Sequence, residues 1–498
     1  MRVAVGLDVG TTGARAVAVG DDGDMVTART AGYPLLTPRP RWTEQDPTEW
    51  WRATREVLGG VAADCTEAGH DVVGIGLTGQ MHGSVFLDSA DEVIRPALLW
   101  NDQRTDGQCR WITERIGAER LVAITGNPAL TGFQAPKVLW LRDEEPANYA
   151  RVARVLLPKD YVRLHLTGEP ATDAADASGT LFMDLRARTW SQEVLDALEV
   201  PEEWLPPILE GPEPAGSLAS GVAREIGLPA EVPVAAGGGD NAAAAIGTAI
   251  TREGMMSSSI GTSGVLFAHA DEAAVDPSGR VHAFAHSVPH RYCMLAVTLS
   301  AGGSLRWWRD LTGAGYDELV AEAEAVPAGS EGLVFLPYLT GERTPHLDPL
   351  ATGGFVGLTA RHTRGHMTRA LMEGVVFGLR DGLEIMRGLG VDPKAVRAIG
   401  GGATSDLWLR LQAEVYGAPV ERVAVEEGAA FGAALLGHVV AGTFADVDEA
   451  TSVVRALPEV TEPAPAQAAV YDEVYGVYRS LYGTLRDDMH RLSALAAG

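Results

Sequence analysis

Cysteine is rare in this sequence of 498 residues, with only three copies, Cys65, Cys109 and Cys293. They lie far apart and form no CxxC motif, so the sequence does not predict a disulfide framework. It predicts a protein of a reducing compartment. No run of 18 or more apolar residues occurs, which argues against a membrane-spanning helix. The opening MRVAVGLDVGTTG lacks the charged and apolar regions of a signal peptide. We therefore expect a cytoplasmic protein.

Basic residues are also few: 40 Lys and Arg stand against 66 Asp and Glu, a net charge of −26. This charge opposes attraction to nucleic acid or to an anionic membrane, so neither is an expected partner. Lysine occurs only at Lys137, Lys159 and Lys394, and never in a GxxxxGK[ST] motif, which excludes a P-loop. The VAIK and HRD motifs of protein kinases are missing too. Any bound phosphate must therefore be held by other local groups.

Two predicted β-hairpins, one in each half of the sequence, carry the same kind of turn. VAVGLDV and ARAVAVG flank the turn Gly10–Gly13, and MMSSSIGTSGVLFAHA places Gly261–Gly264 between two β-rich runs. Small residues let backbone N–H groups approach phosphate oxygens, and hydroxyls at Thr11 and Thr12 add donors. Arg15 adds charge. One such turn is common in plain hairpins, but the pair indicates a phosphate site that uses both.

Each half of the sequence also contains one run of three glycines. EVPVAAGGGDNAAAAIG contains Gly237–Gly239 and AVRAIGGGATSDLWLRLQAEVYG contains Gly400–Gly402, each between a β-rich run and a helical pattern. Such a turn presents a helix N-terminus to an anion or nucleotide. Intervening helical segments predict α/β layering. We expect two α/β domains, residues 1–246 and 247–498, with a ligand in the cleft between them.

Two aspartates are placed for phosphate chemistry. Asp8 comes just before the first hairpin turn, where it can hold Mg²⁺ through the ion's waters. Asp240 follows the first glycine trio, so its carboxylate projects at the cleft. In phosphoryl transfer one carboxylate accepts the proton of the attacking hydroxyl, which predicts Asp240 as that base. The plain alternative for Asp240 is a helix N-cap.

Together these pieces resemble the FGGY carbohydrate kinases, and the match extends from DVGTTG to EEGAAFGAALLG near residue 437. GFQAPKVLWLRDE (132–144) and GGFVGLTARHTRGHMTRALMEG (353–374) are similar to the two family signatures, with departures at Gln134 and Leu371, and the loop ERTPHLDP (342–349) is also typical. The resemblance implies an actin-like, ribonuclease-H-like fold of two α/β domains, and phosphorylation of a sugar by ATP with Mg²⁺.

Within the family, GQMHG (79–83), LLWNDQR (98–104) and GGGDN (237–241) are most similar to members that phosphorylate D-xylulose to D-xylulose 5-phosphate. The resemblance implies that Asp240 is the general base and that the sugar is bound by Met81, His82, Asp102, Asp240 and Asn241. It implies ATP contacts at Thr11, Thr12, Arg15, Gly261, Thr262, Ser263, Gly401, Gly402 and Ser405. It implies that Asp8 and Asp240 face the magnesium. Arg343 either reaches phosphate or braces its loop.

Other interpretations stay open or are set aside. Another sugar of the same family, such as ribulose or gluconate, is the nearest alternative, and an actin-like ATPase switch with no sugar substrate is the more distant one. GIGLTG (74–79) matches GxGxxG, but a short loop and a strand-like run follow it where a dinucleotide site needs a long helix. The segment with His282, His286 and His290 is β-rich, so a helical metal site is not predicted.

Three further segments carry structural predictions. Trp307 and Trp308 are expected mainly in the core, with a place beside adenine as the alternative. PEVTEPAPAQ (458–467) reads as a surface linker before a last helix. That helix carries Tyr471, Tyr475, Tyr478 and Tyr482 as a stripe at helical spacing, which predicts packing on the body of the protein or on a second subunit in a homodimer.

Overall fold

The structure, a computed structural model, describes residues 1–424 and 428–497. Glu426 and Glu427, the first residues of EEGAAFGAALLG, lie outside the described residues. Among the described helices, none combines the length and the apolar character that crossing a bilayer requires.

The first half contains fifteen strands and ten α-helices among its described residues. Its strands are β1 (Arg2–Val9), β2 (Gly13–Gly20), β3 (Met25–Gly32), β4 (Glu44–Gln45), β5 (Asp71–Gly79), β6 (Val85–Leu87), β7 (Ala97–Leu98), β8 (Arg154–Leu156), β9 (Thr172–Asp173), β10 (Met183–Asp184), β11 (Thr189–Trp190), β12 (Ile208–Leu209), β13 (Pro214–Ser217), β14 (Pro233–Ala235) and β15 (Gly238–Gly239). Its helices are α1 (Pro47–Glu67), α2 (Asp106–Ile116), α3 (Ala118–Thr125), α4 (Gln134–Glu144), α5 (Pro146–Tyr149), α6 (Pro158–Thr167), α7 (Ala174–Ala177), α8 (Gln192–Leu198), α9 (Ser220–Ile226) and α10 (Asp240–Gly247).

The second half continues the same alternation. Its strands are β16 (Met255–Ile260), β17 (Gly264–Ala270), β18 (His282–Ala285), β19 (Tyr292–Thr298), β20 (Val334–Leu336), β21 (Gly354–Val356), β22 (Ala395–Ile399), β23 (Val420–Val423) and β24 (Ala456–Thr461). Its helices are α11 (Gly302–Thr312), α12 (Tyr316–Glu324), α13 (Arg364–Gly388), α14 (Asp406–Tyr416), α15 (Gly428–Val440), α16 (Val447–Thr451) and α17 (Pro465–Ala497).

Each half is built on a seven-stranded sheet, and the two sheets repeat the same strand pairings. In the first, β3–β2–β1 are antiparallel neighbours, β1–β5–β14 are parallel, and β13 closes the sheet antiparallel to β14. In the second, β19–β17–β16 are antiparallel, β16–β22–β23 are parallel, and β24 is antiparallel to β23. The predicted duplicated α/β architecture is confirmed.

The central strands are apolar and buried because helices cover their sheets. Val3, Val5, Leu7 and Val9 of β1 have no exposed surface and pack with Trp50 and Leu58 of α1. Asp46 caps α1 by accepting the N–H of Thr48, and Pro47 begins the helix without needing an N–H donor. Such coverage anchors the end of β1, and hence the first hairpin turn, at a fixed position.

The two halves exchange a helix. α15, from late in the chain, lies against β1 and β5 of the first sheet so closely that a Cβ on Gly76 would lie 1.8 Å from the carbonyl oxygen of Ala433. Ala245 of α10 packs with Phe267 and Leu295 of the second sheet. α10 and α15 also cross each other at Gly247 and Gly428. A division of the chain at residues 246 and 247 therefore stays a prediction, because each half borrows an element from the other.

The C-terminal segment departs in part from expectation. Residues 456–461 form β24, an edge strand beside β23, so the prediction of a linker over 458–467 is wrong for its first residues. Pro458 is tolerated there because the strand lies at the edge of the sheet and the pairing is irregular at this point. The tyrosine stripe packs on the protein itself: Tyr471, Tyr475 and Tyr478 are buried against α13 around Phe377.

Candidate active site

The first hairpin turn is held by hydrogen bonds from side chains that were not predicted to contact it. The N–H of Gly10 bonds to the carbonyl of Gly13 at 3.1 Å, and Gln80 and Tyr33 donate to the carbonyl of Gly10. Thr11 is half-buried: its hydroxyl donates to Gln80 at 3.3 Å and accepts the indole N–H of Trp100 at 3.0 Å.

The other predicted phosphate contacts of this hairpin differ in their surroundings. Thr12 is exposed at the tip of the turn. Arg15 is half-buried on β2, where its guanidinium donates to the hydroxyl of Thr30 at 3.2 Å. Of the three predicted contacts, the exposed Thr12 is therefore the one that a ligand reaches most directly.

The second hairpin turn is exposed and lies on the start of α11. Gly261, Thr262 and Ser263 are all exposed, and the carbonyl of Thr262 accepts the N–H groups of Ala301 and Gly303 at 2.9 and 3.0 Å. The contact requires a residue without a side chain at the helix start, since a Cβ on Gly303 would lie 2.8 Å from that carbonyl. This packing fixes the turn at the edge of a large cavity.

That cavity, of about 720 Å³, contains most of the residues predicted to bind ATP in the second half. Gly261, Thr262, Gly401, Gly402 and Ser405 line it. The buried hydroxyl oxygen of Ser405 has no hydrogen-bond partner among the described residues, which suits a site completed by a polar ligand. Its volume falls in the range of small-molecule sites.

Aromatic and aliphatic side chains complete the cavity wall, and they were not predicted. Tyr316, Leu407 and Trp408 line it, whereas Trp307 and Trp308 do not. Trp308 is buried and donates its indole N–H to Thr368 at 3.0 Å, so the alternative that this pair flanks adenine is wrong for Trp308. The tryptophan that does line this cavity is Trp408.

Asp8 and Asp240 line a second cavity, of about 340 Å³, between the two sheets. Ser257 and Phe267 of the second half form its opposite wall. Two carboxylates facing one space provide the oxygen ligands that Mg²⁺ prefers, so these residues fit the predicted metal site.

The glycine turn before α10 positions Asp240. Gly237 has a φ of 88°, and a Cβ there would lie 2.0 Å from the carbonyl oxygen of Leu77, so no other residue fits. Asp240 is the first residue of α10, after the N-cap Gly239, so the plain N-cap alternative does not hold. Its Oδ1 accepts the backbone N–H and the side-chain amide of Asn241 at 2.7 and 2.9 Å.

The surroundings of Asp240 favour a proton acceptor. Burial raises the pKa of its carboxyl to about 6, against the opposing effect of the two hydrogen bonds from Asn241. At neutral pH the group is then ionised, yet it is a stronger base than an ordinary aspartate, which suits proton abstraction from an alcohol.

Met81 and His82 are neighbours in the chain, and Met81 contacts Asn241, which lines the cavity of Asp240. The amide nitrogen of Asn241 is 3.7 Å from the sulfur of Met81, and the Nδ1 of His82 is 2.8 Å from the carbonyl oxygen of Gly179. Burial lowers the pKa of His82 to about 3, so the ring is neutral. With Nδ1 as the donor to Gly179, Nε2 is left as an acceptor for a ligand hydroxyl.

Lys137 holds His82 in an unusual backbone conformation. His82 has a φ of 67°, which a residue with a side chain rarely adopts. The ammonium of Lys137 is fully buried and donates to the carbonyl oxygens of His82, at 2.8 Å, and of Gly132. Lys137 lies in the segment GFQAPK, which resembles a family signature, and this was the only indication in the sequence that Lys137 is important. Its contact with His82 is revealed only by the fold.

Asp102 is the predicted sugar contact that the geometry does not support. Its side chain has no exposed surface. Both carboxylate oxygens are engaged, by the backbone N–H groups of Thr43 and Arg104 and by the guanidinium of Arg104 at 2.7 to 3.0 Å. Asp102 therefore fastens the loop before α2 and offers a ligand no free oxygen.

A similar hairpin turn in each half, a nucleotide-sized cavity and a carboxylate pair between duplicated sheets are typical of a two-domain α/β phosphotransferase. Residues 3–247 match the N-terminal domain, and residues 256–441 the C-terminal domain, of the FGGY family of carbohydrate kinases. The chain belongs to this family, which confirms the predicted fold class and sugar kinase activity. FGGY kinases use ATP.

Individual relatives are similar to this protein over nearly its whole length. A xylulose kinase of Lactococcus lactis is 38% identical over 496 residues, which cover 99% of both chains. The crystal structure of xylulose kinase from Rhodospirillum rubrum superimposes with a TM-score of 0.93 at 32% identity, over 98% of this chain and 99% of that one. A gluconate kinase from Lactobacillus acidophilus has a TM-score of 0.91 at 27% identity, over 97% and 98%.

Proposed function

We propose that the protein transfers the γ-phosphoryl group of ATP to D-xylulose, giving D-xylulose 5-phosphate and ADP. The observation that carries the proposal is the cavity lined by Asp8, Asp240 and Asn241. The side chain of Asn241 also contacts Met81, which His82 follows in the chain. A carboxylate of raised pKa thus adjoins the predicted sugar-binding residues and shares its cavity with Asp8, which lies just before the first predicted phosphate turn.

The chemical step follows from this arrangement. The Asp240 carboxylate accepts the proton of the terminal sugar hydroxyl, the hydroxyl oxygen forms a bond to the γ-phosphorus, and the bond from that phosphorus to the bridging oxygen of ADP breaks. The hairpin turns hold the phosphates, and Asp8 with Asp240 would hold Mg²⁺, which neutralises phosphate charge when bound. Closure of the halves excludes water that would otherwise compete with the sugar.

The identity of the sugar is supported by relatives and not by the fold. The Lactococcus relative and the Rhodospirillum structure are both named xylulose kinases, but the gluconate kinase has nearly the same fold. A gluconate or ribulose kinase is therefore the second candidate. A cytoplasmic location and a homodimer stay predictions, and since the tyrosine stripe of α17 is used within the chain, it does not supply the dimer contact.

A substrate panel tests the proposal. ADP release is measured by a coupled assay with D-xylulose, L-ribulose, D-gluconate and glycerol at saturating ATP and Mg²⁺. We expect D-xylulose to give the highest kcat/KM and to stimulate ATP turnover well above the rate without sugar. A higher kcat/KM on another sugar would overturn the choice of sugar, and ATP turnover that no sugar stimulates would overturn the kinase reaction itself.

The metal role of Asp8 is tested by Asp8→Asn. We expect this variant to need about tenfold more Mg²⁺ for half-maximal activity, since loss of one oxygen partner weakens a metal site by 10- to 100-fold. Asp21→Asn, at the exposed turn beyond β2, serves as the matched control with wild-type metal dependence. A Mg²⁺ titration of Asp8→Asn that superimposes on that of the wild type would remove Asp8 from the metal site.

A further inference from the structure

The side chain of Arg343 is a half-buried cation that the protein itself leaves unsatisfied. Among the described residues, its guanidinium takes part in no hydrogen bond and no ion pair. Burial lowers its pKa to about 10, so it remains charged at neutral pH. Five N–H donors without a protein partner in a partly buried place are costly, and such groups are usually completed by a ligand or by water.

The loop that carries Arg343 does not need the guanidinium for support. Glu342 accepts the backbone N–H groups of Leu299 and Arg343 at 2.9 and 2.7 Å. The N–H of Thr344 bonds to the carbonyl of Val297 at 3.0 Å, and the hydroxyl of Thr344 donates to the carbonyl of Arg280 at 2.8 Å. The backbone is thus fastened on both sides of Arg343 by other groups, which disfavours a bracing role for its side chain.

Arg343 lies beside strand β19, where Thr344 bonds to Val297 and where Leu295 pairs with His282, and its charge acts on the two neutral histidines His282 and His82. The pKa values of His82 and His282 are lowered mainly by burial, and further by the positive charge of Arg343. His282 is fixed by a 2.6 Å hydrogen bond between its Nδ1 and Asn127. The ring of Phe133 meets both imidazoles edge-on, with centroid distances of 4.8 and 6.0 Å. The two imidazoles are therefore held against one aromatic ring, and the charges that lower the pKa of His82 are those of Lys137 and Arg343.

The direction of the cleft indicates which part of the sugar this region would meet. Asp240 is adjacent to Asn241, Asn241 contacts Met81, and His82 follows Met81 in the chain. A ketose whose terminal hydroxyl lies at Asp240 would extend past Met81 and place its carbonyl end near His82. A guanidinium presents paired N–H donors that match a carbonyl oxygen and a neighbouring hydroxyl oxygen.

We propose that Arg343 is a sugar-binding residue contributed by the second half of the chain, which donates hydrogen bonds to the carbonyl end of the ketose. The inference rests on the proposed function and deepens it. Because His82 belongs to the first half and Arg343 to the second, a sugar held by both would link the two halves and favour the closed cleft before phosphoryl transfer.

The test compares Arg343→Met and Arg343→Lys with the wild type. D-xylulose binding is measured by calorimetry without ATP, and the KM values for D-xylulose and for ATP are measured separately. We expect Arg343→Met to raise the Kd and KM for D-xylulose by about 10- to 100-fold, the usual effect of losing charge-assisted hydrogen bonds. The KM for ATP should change less than about twofold, since ATP is recognised elsewhere. Arg343→Lys should recover part of the sugar affinity.

Thermal unfolding separates binding from bracing. The Tm of Arg343→Met should equal or exceed that of the wild type, because a half-buried charge without a protein partner among the described residues is removed. Arg361→Met, at an exposed arginine of the same half, is the control expected to keep wild-type kinetics. Three results would each overturn the inference: unchanged sugar affinity, a raised KM for ATP alone, or a clearly lowered Tm that accounts for the activity loss. A wild-type protein that phosphorylates no sugar would instead overturn the proposed function.

Discussion

Asp240→Asn is expected to lower kcat for sugar phosphorylation by about 10²- to 10⁴-fold, the usual contribution of a general base. Asparagine keeps the size of the side chain and can keep hydrogen bonds with Asn241, but it cannot accept a proton at this position. ATP binding should change little, because the cavity lined by Gly401, Gly402 and Trp408 does not include Asp240. Steady-state kinetics on D-xylulose and equilibrium nucleotide binding measure the two effects separately.

Asp106→Asn provides the matched control for this experiment. Asp106 is also the first residue of a helix, α2, but its side chain is 67% exposed and lies outside both cavities described above. The control should keep wild-type turnover. If Asp240→Asn also turned over at near the wild-type rate, another group would have to receive the hydroxyl proton, and the proposed role of Asp240 would be wrong.

The local elements of the fold were predictable because their signals are short in sequence. Each of these units depends on about a dozen neighbouring residues. They are the two hairpins with turns at Gly10–Gly13 and Gly261–Gly264, and the strand, glycine turn and helix around Gly237–Gly239. The repetition of these units in both halves was sufficient to predict duplicated sheets. The edge strand β24 was missed because three prolines in the polar segment 458–467 usually indicate a loop, and only pairing with β23 stabilises the strand there.

The position of a site residue was predictable where a turn next to it in the sequence determines that position. It was not predictable where the position depends on contacts with residues distant in the sequence. Asp240 follows a glycine turn and lines the cavity between the two sheets. Asp102 was predicted as a sugar contact, but Arg104, two residues along, occupies its carboxylate, and that pairing depends on a buried position that the sequence does not reveal. Lys137 was missed for the same reason: its contact with the carbonyl of His82 spans 55 residues.

The exchange of α10 and α15 between the halves was also beyond local sequence analysis, although it determines where Asp240 lies. α15 is apolar apart from His438, which indicates burial but not a partner. Its glycines are required by distant backbone groups: a Cβ on Gly432 would lie 1.9 Å from the carbonyl oxygen of Ala243 and 2.7 Å from the nitrogen of Gly247. Both of those partners belong to α10, the helix that begins with Asp240.

Gly432→Ala should therefore damage stability and catalysis together. The methyl group cannot be accommodated without moving α10 from α15, and backbone atoms cannot rotate away as a side chain could. We expect the free energy of unfolding to fall by about 2 kcal/mol or more, as in other overpacked cores. We also expect kcat to fall by about 10²-fold, since a displacement of a reacting group by about 1 Å has that cost. Thermal unfolding and steady-state kinetics at a temperature where the variant is folded measure the two effects.

Gly476→Ala separates this steric effect from the general effect of adding a methyl group to a helical glycine. Gly476 lies within α17, and a Cβ there would have no neighbouring atom within 4 Å. Alanine should therefore stabilise that helix by up to about 1 kcal/mol and leave kcat unchanged. A Gly432→Ala variant that instead kept the wild-type Tm and kcat would show that α10 and α15 can separate without moving Asp240. In that case the glycine turn at Gly237–Gly239 alone would position the base.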